Sequence, residues 1–226
     1  MDKSISDHYL GGSGRAYQAA RQTDPRDHGY AVDFEYFRPY LHATDVVLDF
    51  GCGNGGILRH IQPLVARIDG VEVNPAVRAI AEESGAAIYS HLDQVPSNNR
   101  YDVVFSNHVL EHVRDVCKIL ESIRTLLKPN GVLVLKLPFD DANSSYQREW
   151  TEHDIDHHLY TWTPRLLANL LQETGYKVQL CKLVTSAWHP RLFVAKRFGL
   201  QALAFWSLAV LKRRRQTFAV AVNPGS

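Results

Sequence analysis

The chain has 226 residues, 45% hydrophobic and 22% charged, which excludes a disordered chain and reads as a soluble α/β domain with ample core. Three scattered cysteines, Cys52, Cys117 and Cys181, exclude a disulfide framework, a zinc ribbon and an iron–sulfur cluster. The net charge of +1 conceals an asymmetry: Thr174 to Ser226 carries nine Lys or Arg and no Asp or Glu, leaving −8 on the first 173 residues.

Two amphipathic stretches, 13–22 and 30–42, predict N-terminal helices. A βα alternation follows. Val46 to Leu48 is a short apolar strand, and Ile57 to Ile61 opens a helix after a glycine loop. Arg67 to Val71 and Ala87 to Tyr89 read as strands, with a helix over Ala76 to Glu83 between them. Tyr101 to Phe105 is a fourth strand, followed by a helix through Leu127. Pro129-Asn130-Gly131 is a turn and Val132 to Leu137 an apolar fifth strand. A polar stretch, Asp140 to His158, interrupts the pattern. Thr163-Pro164 then opens a helix with a capping residue and a proline at the first position. Tyr176 to Val184 and Thr217 to Val222 complete seven strands. The expected fold is a Rossmann-like, mainly parallel seven-stranded sheet with helices on both faces and ligands at its carboxyl edge. Its expected organisation is a helical cap (1–43), a core (44–185), a helical insertion (186–215) and a last strand with tail (216–226). The polar start, Met1 to Leu10, shows no secretory signal, so a reducing, cytoplasmic compartment is expected.

Gly51, Gly53 and Gly55 follow a buried strand and precede a helix, where they allow a tight turn and close approach of the backbone to a ligand. Glu72 ends the second strand, 21 residues after Gly51, where a carboxylate can accept both ribose hydroxyls. Glycine spacing alone does not choose the ligand. Gly51, Gly53 and Gly56 also satisfy the dinucleotide pattern, which keeps an NAD-dependent oxidoreductase as a rival.

Longer motifs separate the two. Val47-Leu48-Asp49-Phe50-Gly51-Cys52-Gly53-Asn54-Gly55 resembles the first motif of class I S-adenosylmethionine-dependent methyltransferases, acidic residue included. Ser106 to Val113 resembles the segment after their fourth strand, and Leu127 to Leu133 the approach to their fifth. The likeness covers about residues 44–185. It implies S-adenosylmethionine as cofactor, with Asp49, Gly51, Cys52, Gly53, Asn54 and Gly55 around its amino-acid part. Glu72, with Val73 and Asn74 beside it, would hold the ribose. His91 and Leu92 would meet adenine, although His91 stands where the family carries an acid. Asn107 would sit beside the methionine part.

Methyl transfer from a sulfonium is an in-line displacement that must orient the acceptor and, for a hydroxyl, remove its proton. His108, Glu111 and His112 fall at i, i+3 and i+4, which puts them on one face if a helix starts there. The polar stretch adds His153, Asp154, Asp156, His157 and His158. His112, His157 and His158 are the candidate bases. His-x-x-Glu-His resembles Glu-x-x-Glu-His of ubiquinone-pathway O-methyltransferases and small-RNA terminal methyltransferases. That resemblance implies a divalent ion on His108, Glu111 and His112, with a later histidine completing the set. His108 in place of the first glutamate makes such a site softer and less suited to magnesium. The plainer reading is that Glu111 favours a helix N-terminus, with His112 packed beneath it.

Phe198 to Leu211 is a run of 14 residues in which only Gln201 and Ser207 are strongly polar, flanked by Lys196-Arg197 and Lys212 to Arg215. As one helix it would span about 21 Å, short of a hydrocarbon core of roughly 30 Å, so it is not expected to cross a membrane. Three readings of 191–215 stand: packing on the domain or on a second subunit as a homodimer, lying in an anionic membrane interface, or touching nucleic-acid phosphates. The lack of basic–aromatic interleaving speaks against the last. The layout also resembles methyltransferases of polysaccharide and lipid-linked glycan synthesis. The expected activity is O-methylation of a small or lipid-linked acceptor, a glycan or quinol. An aminopropyl transferase lacks a recognisable acidic polyamine pocket here, and a non-catalytic cofactor-binding accessory subunit is the rival outside enzymes.

Overall fold

A computed structural model describes residues 6–21, 28–96, 100–139, 150, 152, 154, 156–185, 187, 189–211 and 214–225. Seven strands form one sheet: Val46–Phe50 (β1), Arg67–Val71 (β2), Ala87–Tyr89 (β3), Tyr101–Asn107 (β4), Leu127–Pro138 (β5), Lys177–Thr185 (β6) and Arg215–Val222 (β7). Their order is β3-β2-β1-β4-β5-β7-β6, with β1 to β5 mutually parallel and β7 antiparallel between β5 and β6. All seven lie where the apolar runs predict them, and the sheet is mainly parallel as expected.

Central strands of such a sheet are covered on both faces, which is why β1 and β4 read as nearly continuous apolar runs. Alternate residues serve opposite layers. Leu48 and Phe50 of β1 join Val116, Ile119, Leu120 and Ile123 of the helix Val116–Leu126 (labelled α5, the N-terminal four being given below) and Leu167 and Leu171 of Pro164–Glu173 (α6). The α5 positions recur at i, i+3, i+4 and i+7, the stripe that a helix lays on a sheet. Val47 of β1 faces the other way. It meets Phe34 and Phe37 of His28–Phe37 (α2) and Ile57, Leu58 and Ile61 of Gly56–Ile61 (α3). Pro75–Glu82 (α4) adds Ala81 to this side, and Gly12–Arg21 (α1) contacts α4. Phe37, almost fully buried, packs 4.8 Å from the Phe105 ring; burying a side chain of that size stabilises by roughly 1.5–3 kcal/mol.

Helix boundaries follow local chemistry. The Asn74 side chain accepts from the amides of Ala76 and Val77 ahead of α4, Asp115 caps α5 through Lys118, and Thr163 caps α6 through Leu166 with Pro164 at the first position.

Three expectations need correction. No helix starts directly after β4: His108 takes a left-handed φ of 56°, Leu110–His112 forms a 3-10 turn, and α5 begins only at Val116. Pro129-Asn130-Gly131 does turn, with Asn130 at φ 63°, but inside β5. Pairing resumes at Val132 after a register shift. The run Phe198–Leu211 is broken: Pro190–Phe198 is 3-10, Gly199 reverses φ to 68°, and the last helix (α7) is Gln201–Leu211. Among the described residues no helix is long and apolar enough to cross a membrane.

The strand order reverses at β1, which lies between β2 and β4. The crevice beyond the carboxyl ends of β1 and β4 is where ligands of such sheets bind.

Candidate active site

The glycine loop closes on itself before any ligand arrives. Gly51 and Cys52 both donate to the Val71 carbonyl at 2.9 and 3.0 Å, which ties the end of β1 to β2. Gly51 has φ 81°, and a Cβ there would fall 2.2 Å from a Val109 methyl carbon, so backbone and neighbour both demand glycine. Asn54 Oδ1 accepts from the Gly56 amide at 3.1 Å, and Arg59 donates to the Asn54 carbonyl at 2.9 Å.

Glu72, just past β2, spans this loop. Its Oε2 accepts from Gly53 at 3.1 Å and its Oε1 from Asn74 at 2.8 Å. Burial raises the Glu72 carboxyl above its usual range, although these amides, Arg78 and Val73 pull the other way. Asp49 is buried in β1. Burial, and after it the charge of Glu72, pushes its carboxyl well above the usual range. Burial first, and then Asp49 and Glu72, push the Cys52 thiol up, so it is an inert apolar neighbour. Asp49, Cys52 and Glu72 thus influence one another at one spot, where a cation would favour the charged carboxylates. Farther along the edge, Leu92 opens a 3-10 turn, and His91 beside it buries Nδ1 without a hydrogen-bond partner among the described residues.

At the end of β4, Asn107 donates to Asp33 of α2 at 3.1 Å, while its Oδ1 is buried without a partner among the described residues. The other oxygen of Asp33 receives Lys136 Nζ at 2.7 Å, and the Lys136 side chain is 0% exposed. That ammonium also lies 5.2 Å over the Tyr36 ring. Sequence reasoning missed Asp33 and Lys136. The available signal was a lone charge inside the apolar strand Leu133–Leu137.

Beyond β4 lies a histidine cluster. Glu111 is fully buried, and neither of its oxygens has a hydrogen-bond partner among the described residues. Its nearest polar neighbours are two imidazoles: His108 Nδ1 lies 3.5 Å and His112 Nε2 3.8 Å from Oε1. Burial alone would raise the Glu111 carboxyl, but His108 and then His112 outweigh it and hold it below its usual range. The three residues meet as the sequence predicts, through a left-handed residue and a 3-10 turn rather than a helix face. Glu111 is therefore not at the N-terminus of α5.

The segment after the polar stretch docks on this turn. Leu159 donates to the Glu111 carbonyl at 2.7 Å and Tyr160 to that of Arg114 at 2.7 Å, which brings the His158 ring to 5.0 Å from that of His112. Ligand atoms of Glu111, His112 and His158 all lie within 4.8 Å of one another. His158 thus stands where the resemblance implies a later histidine, whereas His108 is not in this group. His108 keeps its Nδ1 towards Glu111 and its Nε2 lies 3.0 Å from the Gln216 amide nitrogen. His157 is exposed, with φ 42°, and stacks on His8 at 4.7 Å, outside the group. His153 lies outside the described residues.

The N-terminal segment closes over the cluster. Tyr9 is buried with its hydroxyl 2.6 Å from His112 Nδ1, and it donates to the Asp156 carbonyl. Tyr17 reaches His112 Nε2 at 3.5 Å. Burial, then Tyr17 and Glu111, raises the Tyr9 phenol, so it stays protonated. No local sequence signal marked either tyrosine.

Known proteins resemble this chain in sequence and in fold. A family model described as a methyltransferase domain matches residues 20–180. The ubiquinone biosynthesis O-methyltransferase of Cereibacter sphaeroides is 31% identical over 145 residues, 57% of this chain and 59% of its own length, so the chain spans less than two thirds of that relative. Among solved structures, a chain of the complex between the Haloferax volcanii Trm112 methyltransferase activator and a methyltransferase superposes with a TM-score of 0.70 at 18% identity, covering 96% of this chain and 98% of that one. The plantazolicin methyltransferase BpumL, solved with SAH, gives 0.66 at 15% identity over 97% and 94%. At such identities the structural likeness is one of fold.

Proposed function

The chain belongs to the class I S-adenosylmethionine-dependent methyltransferase family, and from that premise we propose that it methylates an oxygen of a small or lipid-linked acceptor, a glycan or quinol hydroxyl. The observation that carries this reading is the cluster of His112, His158 and buried Glu111 immediately beyond the crevice at the end of β4. The similarity to an enzyme named as an O-methyltransferase supports it.

The residues present fit the cofactor. Gly51 leaves no room for a side chain between loop and Val109, and the buried Asn107 Oδ1 still needs a donor. Each Glu72 oxygen accepts one amide, so each keeps a lone pair for one hydroxyl of a ribose diol. A cationic ligand beside Asp49 and Glu72 would favour the charged form of both carboxyls, which burial raises. Bound S-adenosylmethionine supplies an electrophilic methyl group on a sulfonium. His112 or His158 would take the proton of the acceptor's hydroxyl. Tyr9 and Tyr17 orient the His112 ring. We place this work in a reducing, cytoplasmic compartment, supported by the free thiols Cys52, Cys117 and Cys181.

A second reading has its own observation. A wholly buried carboxylate with no partner closer than the 3.5 Å approach of His108 among the described residues, grouped with two imidazoles, is a donor set for a divalent transition metal more than for magnesium. Glu111, His112 and His158 would hold such an ion, which would lower the pKa of an acceptor hydroxyl.

Labelled S-adenosylmethionine incubated with catechols, hydroquinones and lipid-linked glycans tests both readings. An O-methylated product that falls about a hundredfold or more in His112→Ala supports the first. Loss of that product on chelation, restored by zinc or manganese, supports the second. Tight cofactor binding with no product from any hydroxylated acceptor would reject the O-methylation reading. Glu72→Ala should weaken the cofactor by about 1–3 kcal/mol in a calorimetric titration.

A further inference from the structure

We infer that the segment Pro190–Leu211 is a docking surface for an anionic lipid bilayer. A helix that is apolar nearly all round is normally enclosed by other matter. Yet Leu203, Trp206 and Val210 of α7 are 58%, 59% and 49% exposed, and they share one face at i, i+3 and i+7. Phe198 and Leu200 ahead of the helix and Leu211 at its end extend the patch, at 74%, 53% and 82%. Beside this stripe the helix is seated on the domain: Ala209 is wholly buried and α7 packs against β6.

Charge selects the occupant. Arg191, Lys196, Arg197, Arg214 and Arg215 are exposed around this patch, and none pairs with a carboxylate among the described residues. The sequence holds no acidic residue after Glu173. A second copy of the chain would bring the same positive charge to the same place. A nucleic acid would meet the arginines but leave the leucines in water. A bilayer with anionic headgroups answers both the apolar stripe and its basic rim. The 11-residue helix is about 16 Å long, which suits lying in the plane of the interface.

The location adds to this. The segment leaves β6 at Thr185 and returns through Arg215 and Gln216, which are register partners of Thr185 and Val184, and Gln216 touches His108. The apolar segment therefore joins the sheet at the edge that carries the candidate active site, an arrangement that suits an acceptor with a lipid tail. Only that last clause rests on the methyltransferase reading; the docking itself does not.

Sedimentation of the full chain with vesicles tests the inference without any activity assay. Vesicles of phosphatidylcholine with about one third phosphatidylglycerol should carry the protein down, and phosphatidylcholine alone should not. Each basic side chain near the surface contributes about fivefold, so Lys196→Gln, Arg197→Gln, Arg214→Gln and Arg215→Gln together should weaken binding by more than tenfold. Leu203→Ser with Trp206→Ser should weaken it comparably, and the Trp206 emission should shift to the blue on binding. All of these side chains are exposed, so the variants should melt like the parent. Binding to neither vesicle would overturn the inference, as would binding that ignores both sets of substitutions. A dimer that the Leu203 and Trp206 changes dissolve, with no vesicle binding, would assign the patch to a second copy and equally overturn it.

Discussion

Two buried carboxylates at the carboxyl edge of adjacent strands behave in opposite ways. Asp49 on β1 and Glu111 just beyond β4 are both enclosed, so burial acts on both in the same sense. Asp49 then meets another negative group, Glu72, and its carboxyl goes well up. Glu111 meets His108 and His112, and its carboxyl goes down. Burial sets the scale of an ionic problem, and the neighbours decide its sign. The glycine-loop side is a cradle that brings two carboxyls together beside a backbone turn. The histidine side sets its carboxyl among imidazoles and is built from side chains of separate segments.

The largest effect should come from the cradle. Gly51→Ala puts a side chain at φ 81° and against Val109. The backbone alone costs about 1–3 kcal/mol, and the overlap adds to it. Cofactor binding should vanish from the calorimeter, while an unchanged affinity would show that the loop does not hold the ligand.

Lys136→Met comes next. It leaves Asp33 facing Asn107 with no counter-ion, and removal of one partner from a buried pair costs about 3 kcal/mol at the low end. The low end applies because the Asp33 side chain is 23% exposed. The melting temperature should drop by roughly 6–12 °C for a chain of this size. A drop no larger than that of an exposed control would mean the pair is solvated.

The two carboxylates should also separate by pH. A raised carboxyl such as Asp49 contributes stability only below the usual carboxylate range, and that contribution is lost as pH rises through its folded pKa. Asp49→Asn should therefore stabilise the cofactor-free protein at neutral pH and change little near pH 4. A lowered carboxyl such as Glu111 contributes stability above the usual range and loses it as pH falls through its folded pKa. Glu111→Gln should destabilise at neutral pH, with the difference closing below about pH 4. Melting curves over that range check both, and shifts in the same direction would end the contrast.

Thr163→Ala, remote from both regions, should cost about 1 kcal/mol through the lost cap on α6 and leave cofactor affinity untouched.

Much of the cradle was legible in the residues. Asp49, the three glycines and Glu72 lie within one strand–loop–helix–strand unit, and spacing along the chain dictates spacing in the fold. The histidine side was legible only in part. The spacing marks His108, Glu111 and His112 as a group but leaves their local geometry open, because a left-handed histidine leaves no pattern in the sequence periodicity. His158 was named without the contact that brings it to His112. That contact depends on Leu159 meeting the Glu111 carbonyl across the fold.

What the sequence by itself determined is whatever a few consecutive residues can enforce: strands from apolar runs, caps at Thr163 and Asn74, and a loop at Gly51 that tolerates no side chain. Tertiary structure alone decided that Tyr9 would seat His112 and that Asp33 would meet Lys136, two contacts that each span 103 residues. It also decided that the apolar face of α7 would stay open to its surroundings. Such pairings are chosen by how helices pack over the sheet, and no local dihedral or hydrogen-bond preference encodes them.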